Sequence, residues 1–317
     1  METCVKNVLN PIDTRRNEGT ALDLSWVRSF RIRKPRNTHR TEAYTRLGLP
    51  RGRKGVNPLL EVLHAVDLTT LSGGDTVAGV VRLCKTARSP LPPTVRRGLG
   101  LHSQADRVAA VCVFPAFVPF ALEALEGTGI SVATVSAGFP HGLSSLSMRI
   151  REVAAAAEAG AHEIDVVIRR EWALLGRWEE LYREVRAFRE AAGEAHLKVI
   201  LGTGDLANLN QVARAALTSM MAGADFVKTS TGKEKVNATF PVGVAMARAI
   251  GAFLRETGFP VGLKPAGGIR SATEGYRWLR LVKGELGEEW SRPLLFRIGA
   301  SGLVTDVVSA LAARASS

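Results

Sequence analysis

The chain of 317 residues lacks any run of 18 uncharged apolar residues, and no apolar segment follows the basic residues near its N-terminus. A membrane-spanning helix needs about 20 apolar residues and a secretory signal needs an apolar core, so neither is expected. Hydrophobic residues nevertheless make up 46% of the chain, which is enough for a sizeable buried core. The sequence therefore predicts a soluble globular protein without a membrane partner.

Cysteine is scarce, and its spacing excludes a disulfide framework. The three residues, Cys4, Cys84 and Cys112, are far apart and form no C-x-x-C pair. An odd number of isolated cysteines is typical of reduced thiols in a reducing compartment. We therefore expect a cytoplasmic protein.

Spacings typical of metal and nucleotide sites are also missing. None of the six histidines belongs to an H-x-H or H-x-x-x-H pair, and the cysteines add no cluster. No G-x-G-x-x-G motif follows the first predicted strand, which disfavours a dinucleotide-binding sheet. The sequence predicts neither a metal site nor a cofactor.

The net charge of +12 is concentrated near the N-terminus, where residues 1–58 hold 13 Lys or Arg against 5 Asp or Glu. We interpret this segment as a basic, turn-rich extension and linker, whose apolar stretch 21–27 docks on a main domain at 59–317. A mitochondrial presequence is an alternative that four acidic residues in the first 23 positions disfavour. Nucleic acid is not an expected partner, because stacking on bases needs several aromatic side chains and residues 28–58 contain only two.

From residue 59 onward, strand and helix patterns alternate. Helical patterns such as 145–160, 177–193 and 210–223 end in glycine, as helices often do. The units repeat at roughly 33 residues, which fits a (β/α)8 TIM barrel; an open, doubly wound sheet is the alternative. The eight predicted strands are 63–71, 108–115, 131–137, 162–168, 197–203, 224–230, 261–267 and 295–301.

Two lysines occupy matching positions in the sixth and seventh predicted strands. Phe226, Lys228 and Ser230 share one face of a period-two strand, and Lys264 stands in a similar apolar run. Two such charges about 4 Å apart repel by about 4 kcal/mol at an effective dielectric near 20, which lowers one pKa by roughly three units. The free amine produced in this way attacks carbonyl groups to form a Schiff base. A strand-end lysine that reaches solvent is the alternative for Lys228.

Polar side chains on other strands are expected to complete the reacting centre. Asp165, near the end of the fourth predicted strand, either moves protons or forms a salt bridge to one of the lysines, and the two roles are compatible. Asp67 and Thr69 on the first strand are expected to orient their neighbours. Cys112 and Thr203 are also predicted to contact the substrate.

Glycine-rich loops after the last three predicted strands indicate an anion site, because this edge of a barrel usually binds phosphate. Backbone N–H groups of these loops, together with two basic side chains, are expected to hold one phosphate group. Each glycine alone is typical of a turn, but three such loops at one edge favour phosphate. The candidates are Gly232, Lys233, Gly267, Gly268, Arg270, Gly299 and Ser301.

Several motifs together resemble deoxyribose-phosphate aldolases, particularly their animal form. They are DLTTL, AVCVFP, AGFPHG, EIDVVI, DFVKTSTGK, NATFPV, KPAGGIR and FRIGAS, between residues 59 and 303, and LDLSWV at 22–27 resembles the animal extension. The resemblance implies a (β/α)8 barrel and a metal-independent class I aldolase of deoxynucleoside catabolism. Its implied substrate is a phosphorylated sugar, 2-deoxy-D-ribose 5-phosphate, cleaved reversibly to acetaldehyde and D-glyceraldehyde 3-phosphate. A homo-oligomer is expected.

The resemblance also implies roles for single residues. Lys228 matches the Schiff-base lysine, Lys264 the second lysine that tunes it, and Asp165 the proton-relay aspartate. Bacterial members commonly carry glutamate at the position of Gly202 and a second serine at that of Gly302, and many members have a tyrosine in a C-terminal tail that this sequence does not show. We expect these departures to affect the rate of the reaction more than its type.

Two other classes of function are disfavoured by the sequence. An adaptor for nucleic acid or protein, built on a relic barrel, does not account for the intact lysine pair. A phosphate-binding isomerase would use a carboxylate base without paired inward lysines.

Overall fold

A computed structural model of the chain describes residues 16–102 and 105–315. The strands are β1 Val66–Thr69, β2 Ala110–Val113, β3 Ser131–Ser136, β4 Glu163–Val167, β5 His196–Ile200, β6 Phe226–Lys228, β7 Gly262–Lys264 and β8 Ile298–Ala300. The helices are α1 Leu24–Ser29, α2 Lys34–Thr45, α3 Val56–His64, α4 Val77–Arg88, α5 Pro93–Gly98, α6 Val118–Leu125, α7 Leu146–Glu158, α8 Arg170–Leu174, α9 Trp178–Ala191, α10 Leu209–Met221, α11 Phe240–Thr257, α12 Ala272–Leu286 and α13 Leu303–Ala315. Short 3₁₀ helices cover Gly52–Gly55, Pro115–Phe117 and Glu288–Ser291.

The eight strands form one parallel sheet in the order β7-β6-β5-β4-β3-β2-β1-β8. Two further parallel bridges, from Leu263 to Phe296 and from Ala266 to Gly299, join β7 to the segment of β8. The sheet therefore closes on itself as a (β/α)8 barrel, and the predicted fold is confirmed. Each predicted strand overlaps an observed one, although the observed strands are shorter.

Apolar side chains are sorted by the alternation of the strands. Leu68, Val111 and Val132 belong to the large cluster shared by the strands and the surrounding helices. Cys112 and Ala133, the next residues along their strands, belong to a separate small cluster with Val135. The small cluster lies on the inner face of the barrel, where it adjoins the charged residues described below.

Local sequence signals set the ends of the helices that bring the chain back to the sheet. The Asn208 side chain accepts hydrogen bonds from the first N–H groups of α10, at Asn210 and Gln211. Ser271 and Glu274 form a capping box at the start of α12. Gly258 ends α11 with a φ of 73°, a left-handed conformation that favours glycine.

The segment before β1 is more ordered than its turn-rich sequence predicted, because α1 and α2 form there. Val27 of α1 is buried in the large apolar cluster, so the stretch 21–27 packs on the barrel. On α2, Arg40 pairs with Glu285 at 2.5 Å and Tyr44 donates to the same carboxylate at 3.1 Å. Polar contacts of this kind leave no apolar period in the sequence, which explains why α2 was not predicted.

No helix within residues 16–102 and 105–315 combines the length and apolar character needed to cross a membrane.

Candidate active site

Lys228 and Lys264 are register partners at the carboxyl ends of β6 and β7. Both side chains are buried, and Lys228 is 3% exposed, so it does not reach solvent. The Nζ atoms donate hydrogen bonds to one and the same acceptor, Oδ2 of Asp165, at 2.6 Å from Lys228 and 2.8 Å from Lys264. The structure thus brings together the three residues that the sequence singled out, and Asp165 forms salt bridges to both lysines.

A third lysine, missed by the sequence reasoning, lies beside them. Lys198 of β5 is buried, and its Nζ donates to Oδ1 of Asp165 at 3.1 Å and to Oδ2 of Asp67 at 3.2 Å. It also pairs with Glu163. The signal was present, because Lys198 interrupts the apolar strand pattern HLKVI as Lys228 interrupts its own.

Deeper in the barrel, Arg297 binds two carboxylates. Its Nη1 donates to Oδ1 of Asp67 and its Nη2 to Oε1 of Glu163, both at 2.6 Å. Lys264 donates to the other oxygen of Asp67 at 2.5 Å. Asp67, predicted to orient its neighbours, therefore holds three cations. We call the connected set the barrel charge network: Asp67, Glu163, Asp165, Lys198, Lys228, Lys264 and Arg297.

The network contains four basic and three acidic side chains, so it carries one excess positive charge when every member is ionised. Burial by itself would raise the pKa of each carboxyl group, but the neighbouring cations outweigh it. They lower the pKa of Asp67 to about 2 and hold those of Glu163 and Asp165 well below their usual values. All three carboxyl groups are therefore ionised at neutral pH. A proton that the network loses must then come from one of its basic side chains.

Among the three lysines, Lys228 is the one whose pKa is lowered. Burial is the largest cause; the Asp165 carboxylate opposes it, and the positive charge of Lys264 adds to the lowering. Burial acts on Lys198 and Lys264 too, but each faces two or more carboxylates, which raise the pKa above its usual value. The sequence predicted a lowered pKa from the neighbouring lysine, whereas loss of hydration contributes more.

The remaining interior candidates lie around this network. Cys112 is buried, and burial raises the pKa of its thiol. The thiol is therefore neutral and forms part of the inner wall of the barrel. Thr69 is half-buried, and its hydroxyl donates to the carbonyl of Asp67 at 2.8 Å. Thr203 is buried after β5; its N–H donates to Thr229 O at 2.9 Å, and its hydroxyl has no hydrogen-bond partner among the described residues.

The structure brings several of the predicted phosphate-binding residues to one edge. The bridge between Ala266 and Gly299 joins the loop after β7 to β8 itself, because Gly299 lies within that strand and not in the loop after it, and a Cβ on Gly232 would lie 3.9 Å from the Cα of Gly267. Gly267 and Gly268 have φ values of 84° and 83°, which favour glycine. The glycines of the loops after β6 and β7 therefore lie beside Gly299 of β8, along one rim of the barrel mouth.

The other candidates lie around this rim. Lys233 is exposed, and its Nζ donates to Leu71 O, beyond β1, at 3.0 Å. Arg270 is exposed, and its backbone N–H donates to Glu274 at the start of α12. Ser301 is exposed in the loop between β8 and α13. None of these three side chains belongs to the barrel charge network.

A cavity of about 610 Å³ lies at the opposite end of the barrel. Its walls include the first residues of β3, β4 and β5, which are Ser131, Glu163 and His196. Lys228 and Lys264, in contrast, are the last residues of β6 and β7. Enzymes with this fold carry their reacting groups at the carboxyl ends of the strands. The cavity therefore lies at the other end of the barrel from the lysine pair, and Glu163 is the network member that also lines it.

Within residues 16–102 and 105–315, no three His, Cys, Asp or Glu side chains are grouped so as to hold a metal ion. Cys84 and Cys112 are buried and form no disulfide, while Cys4 lies outside the described residues.

Comparison with known proteins agrees with this geometry. The deoxyribose-phosphate aldolase of Homo sapiens is 50% identical over 293 residues, covering 92% of each chain, and that of Mus musculus is 50% identical over 291 residues, covering 91% of this chain and 92% of the relative. A solved structure from Coccidioides immitis is 26% identical, with a TM-score of 0.66 over 92% of this chain and 98% of the other. The deoxyribose phosphate aldolase of Aeropyrum pernix, described as tetrameric, shares the fold at 22% identity, with a TM-score of 0.56 over 82% and 98%.

The family assignment follows from a match over most of the barrel. The model described as DeoC/LacD family aldolase matches residues 61–288, from α3 into the last 3₁₀ helix. The resemblance inferred from the motifs is thereby confirmed. The chain belongs to the DeoC/LacD family of aldolases.

Proposed function

We propose that the chain is a class I aldolase that reversibly cleaves 2-deoxy-D-ribose 5-phosphate, with Lys228 as the Schiff-base residue. One observation carries this proposal: within the barrel charge network, Lys228 is the lysine with a lowered pKa, and it lies beside a carboxylate shared with Lys264. A lowered pKa makes the free amine more available, and the free amine is the nucleophile that Schiff-base formation requires.

In the first step, the neutral Lys228 amine attacks C1 of the open-chain sugar. The carbinolamine formed loses water to give an iminium ion, and the water oxygen leaves with two protons. Lys264, whose pKa the Asp165 and Asp67 carboxylates raise above its usual value despite burial, is charged and supplies a proton to the departing oxygen. Asp165 lies within hydrogen-bond distance of both amines and carries protons between them.

In the second step, the iminium draws electrons from the C2–C3 bond. The C3 hydroxyl gives its proton to Lys264, which became neutral in the first step, C3 becomes the aldehyde of D-glyceraldehyde 3-phosphate, and C2 becomes the carbon of an enamine. Lys264 returns this proton to C2 and restores an iminium; water then releases acetaldehyde and the free amine of Lys228, and the proton set free returns to Lys264. The small apolar cluster of Cys112, Ala133 and Val135 is a suitable wall for the two-carbon fragment.

The phosphate is held at the rim formed by the glycines of the loops after β6 and β7 and by Gly299 of β8, together with Lys233; we call this the phosphate rim. Two features support this part: glycines with positive φ in the loops after β6 and β7, and a lysine whose side chain reaches across the barrel mouth. Asp67 acts within the charge network instead of contacting the sugar directly.

We also propose that the protein is a cytoplasmic homo-oligomer, with residues 59–317 as the catalytic domain. The unbridged cysteines Cys84 and Cys112 suit a reducing compartment, and one relative of the same fold is described as tetrameric. Light scattering of the purified protein tests the oligomer: a mass equal to one chain would contradict it.

The reaction is tested by following both products from 2-deoxy-D-ribose 5-phosphate. Acetaldehyde and D-glyceraldehyde 3-phosphate should form in equal amounts. Lys228→Leu should abolish turnover, whereas the matched control Lys235→Leu, which alters an exposed lysine of the adjacent loop, should not. Absence of cleavage by the unchanged protein, or full activity of Lys228→Leu, would overturn the proposal.

A further inference from the structure

A single arginine links the loops on one side of the barrel mouth. Arg170, at the start of α8, has a guanidinium that is 13% exposed. Its Nη atoms donate to Pro140 O at 3.2 Å and to His141 O at 3.3 Å, in the loop after β3. Its Nε lies 3.1 Å from Oδ2 of Asp205, after β5, and its Nη2 donates to Oε1 of Glu234, after β6, at 2.8 Å. One side chain thus joins four consecutive loops.

Glu234, the partner in the loop after β6, folds back onto its own loop. Its carboxylate is 4% exposed and accepts hydrogen bonds from the hydroxyl of Thr231 at 2.7 Å, from the N–H of Thr231 at 3.0 Å and from that of Gly232 at 3.2 Å. The same hydroxyl accepts from the N–H of Lys233 at 3.1 Å. The carboxylate therefore fixes the turn that carries Lys233.

The rest of this loop fits closely between its neighbours. A Cβ on Gly204 would lie 1.9 Å from Val236 O, and one on Gly267 would lie 2.6 Å from the side chain of Asn237. Contacts this short exclude any larger residue at either glycine without movement of the loop. The loop is therefore seated on the segments after β5 and β7.

The loop after β6 carries Lys233, whose side chain reaches across the barrel mouth. Its Nζ donates to Leu71 O, beyond β1, while β7 and β8 stand between β6 and β1 in the barrel. The side chain thus reaches across the barrel mouth, from the loop after β6 to the segment after β1. Whatever holds the loop after β6 also sets the position of this cation.

Gly202, after β5, leaves room for the Arg170 side chain. A Cβ on Gly202 would lie 2.0 Å from Nε of Arg170. The guanidinium therefore fills the space that a side chain at Gly202 would need.

We propose that the Arg170–Glu234 ion pair is a positioning device that sets Lys233 over the phosphate rim and so determines the preference for phosphorylated over unphosphorylated substrates. Neither side chain belongs to the barrel charge network, so the pair acts through the loop and not on the reacting atoms. The inference rests on the proposed function.

The test compares two substrates, 2-deoxy-D-ribose 5-phosphate and 2-deoxy-D-ribose, in full-length Glu234→Gln. Gln keeps the shape of the side chain but loses the charge that binds Arg170 and the loop N–H groups. We expect kcat/KM for the phosphorylated sugar to fall roughly tenfold to a hundredfold through a higher KM, as displaced binding groups typically cause. The value for 2-deoxy-D-ribose should stay unchanged, and Glu234→Asp should restore part of the preference.

A measurement without phosphate distinguishes an effect on the loop after β6 from an effect on Schiff-base formation. Borohydride trapping with acetaldehyde should label Glu234→Gln as fast as the unchanged protein, because acetaldehyde carries no phosphate. Glu179→Gln, in an exposed pair with Arg183 on α9, is the matched control and should alter neither substrate. An equal fall for both substrates, or an unchanged preference, would overturn the inference, whereas failure of the unchanged protein to cleave either sugar would instead contradict the proposed function.

Discussion

Lys228 and Lys264 stand opposite each other on neighbouring strands and donate hydrogen bonds to a single oxygen of Asp165. Sharing one acceptor keeps the two amines close, yet it leaves them with unequal surroundings. Lys264 also binds Asp67, whereas Lys228 has no second carboxylate partner among the described residues. This asymmetry explains why the pKa of Lys264 is raised and that of Lys228 is lowered.

Lys264→Leu should slow turnover by removing the like charge next to Lys228. The pKa of Lys228 should rise, because Lys264 contributes to its lowering and the opposing Asp165 carboxylate remains. The amine form then appears at higher pH, so the ascending limb of the kcat/KM profile should move upward. For every pH unit by which this limb moves, the fraction of free amine at a fixed pH on it falls about tenfold. A profile equal to that of the unchanged protein would show that the two lysines are not coupled.

Asp165→Asn should shift the same limb in the opposite direction. The Asp165 carboxylate raises the pKa of Lys228, so its loss should let the amine form appear at lower pH. Proton transfer between the lysines is lost as well, and kcat should fall by about 10²- to 10⁴-fold. The pair of pH profiles is therefore diagnostic, and an upward shift in Asp165→Asn would contradict the electrostatic account.

The lysine pair and the barrel were predictable because each depends on local periodicity. Lys228 and Lys264 interrupt apolar strands at matching points, and strands repeat at a regular interval along the chain. The charges of Lys198 and Arg297 follow the same alternation, but their partners come from β1 and β4. Which charges meet inside a barrel depends on how the strands are staggered, which no single strand reveals.

Loops and the N-terminal helices were less accessible to sequence reasoning. In the sequence, Glu234 is a single charged residue in a polar loop. Its pairing with Arg170, 64 positions away, depends on the path of two loops. On α2, burial is limited to residues such as Asn37 and Tyr44, which leave no apolar stripe. Contacts made by scattered polar groups carry no periodic signal.

Lys198→Met should destabilise the folded protein. The change leaves Asp67, Glu163 and Asp165 with one cation fewer in the barrel interior, and removing one partner of a buried pair costs about 3–5 kcal/mol. The free energy of unfolding is measured with urea, and the exposed control Lys235→Met should change it little. A loss no larger than that of the control would contradict a structural role for Lys198.

The pH dependence of stability gives a second measurement on Lys198→Met. Carboxyl groups with lowered pKa values stabilise the fold above their unfolded pKa, and this contribution is lost as the pH falls towards the folded value, about 2 for Asp67. Without Lys198 the folded pKa values should rise. Acid unfolding of the variant should therefore begin at higher pH than in the unchanged protein.

Asn17→Ala should lower stability without changing turnover. Asn17 is buried; its N–H donates to Asp225 at 2.7 Å, and its side-chain amide donates to Met220 O and Ala224 O, each at 2.8 Å. We expect a loss of about 1–3 kcal/mol from unpaired buried groups. These contacts lie before β6, away from Lys228, so kcat and KM should be unchanged. The control is deletion of residues 1–15, which leaves Asn17 in place, and lost turnover in Asn17→Ala would connect the extension to the active site.

The central claim, that Lys228 forms the covalent intermediate, is tested most directly by reduction with borohydride in the presence of acetaldehyde. Mass spectrometry of the digested protein should find one ethyl group on the peptide that contains Lys228, and activity should fall in proportion to the labelling. Lys264 and Lys198 should remain unlabelled, because the carboxylates beside them keep their amines protonated. Labelling confined to another lysine, or full activity without labelling of Lys228, would contradict the account.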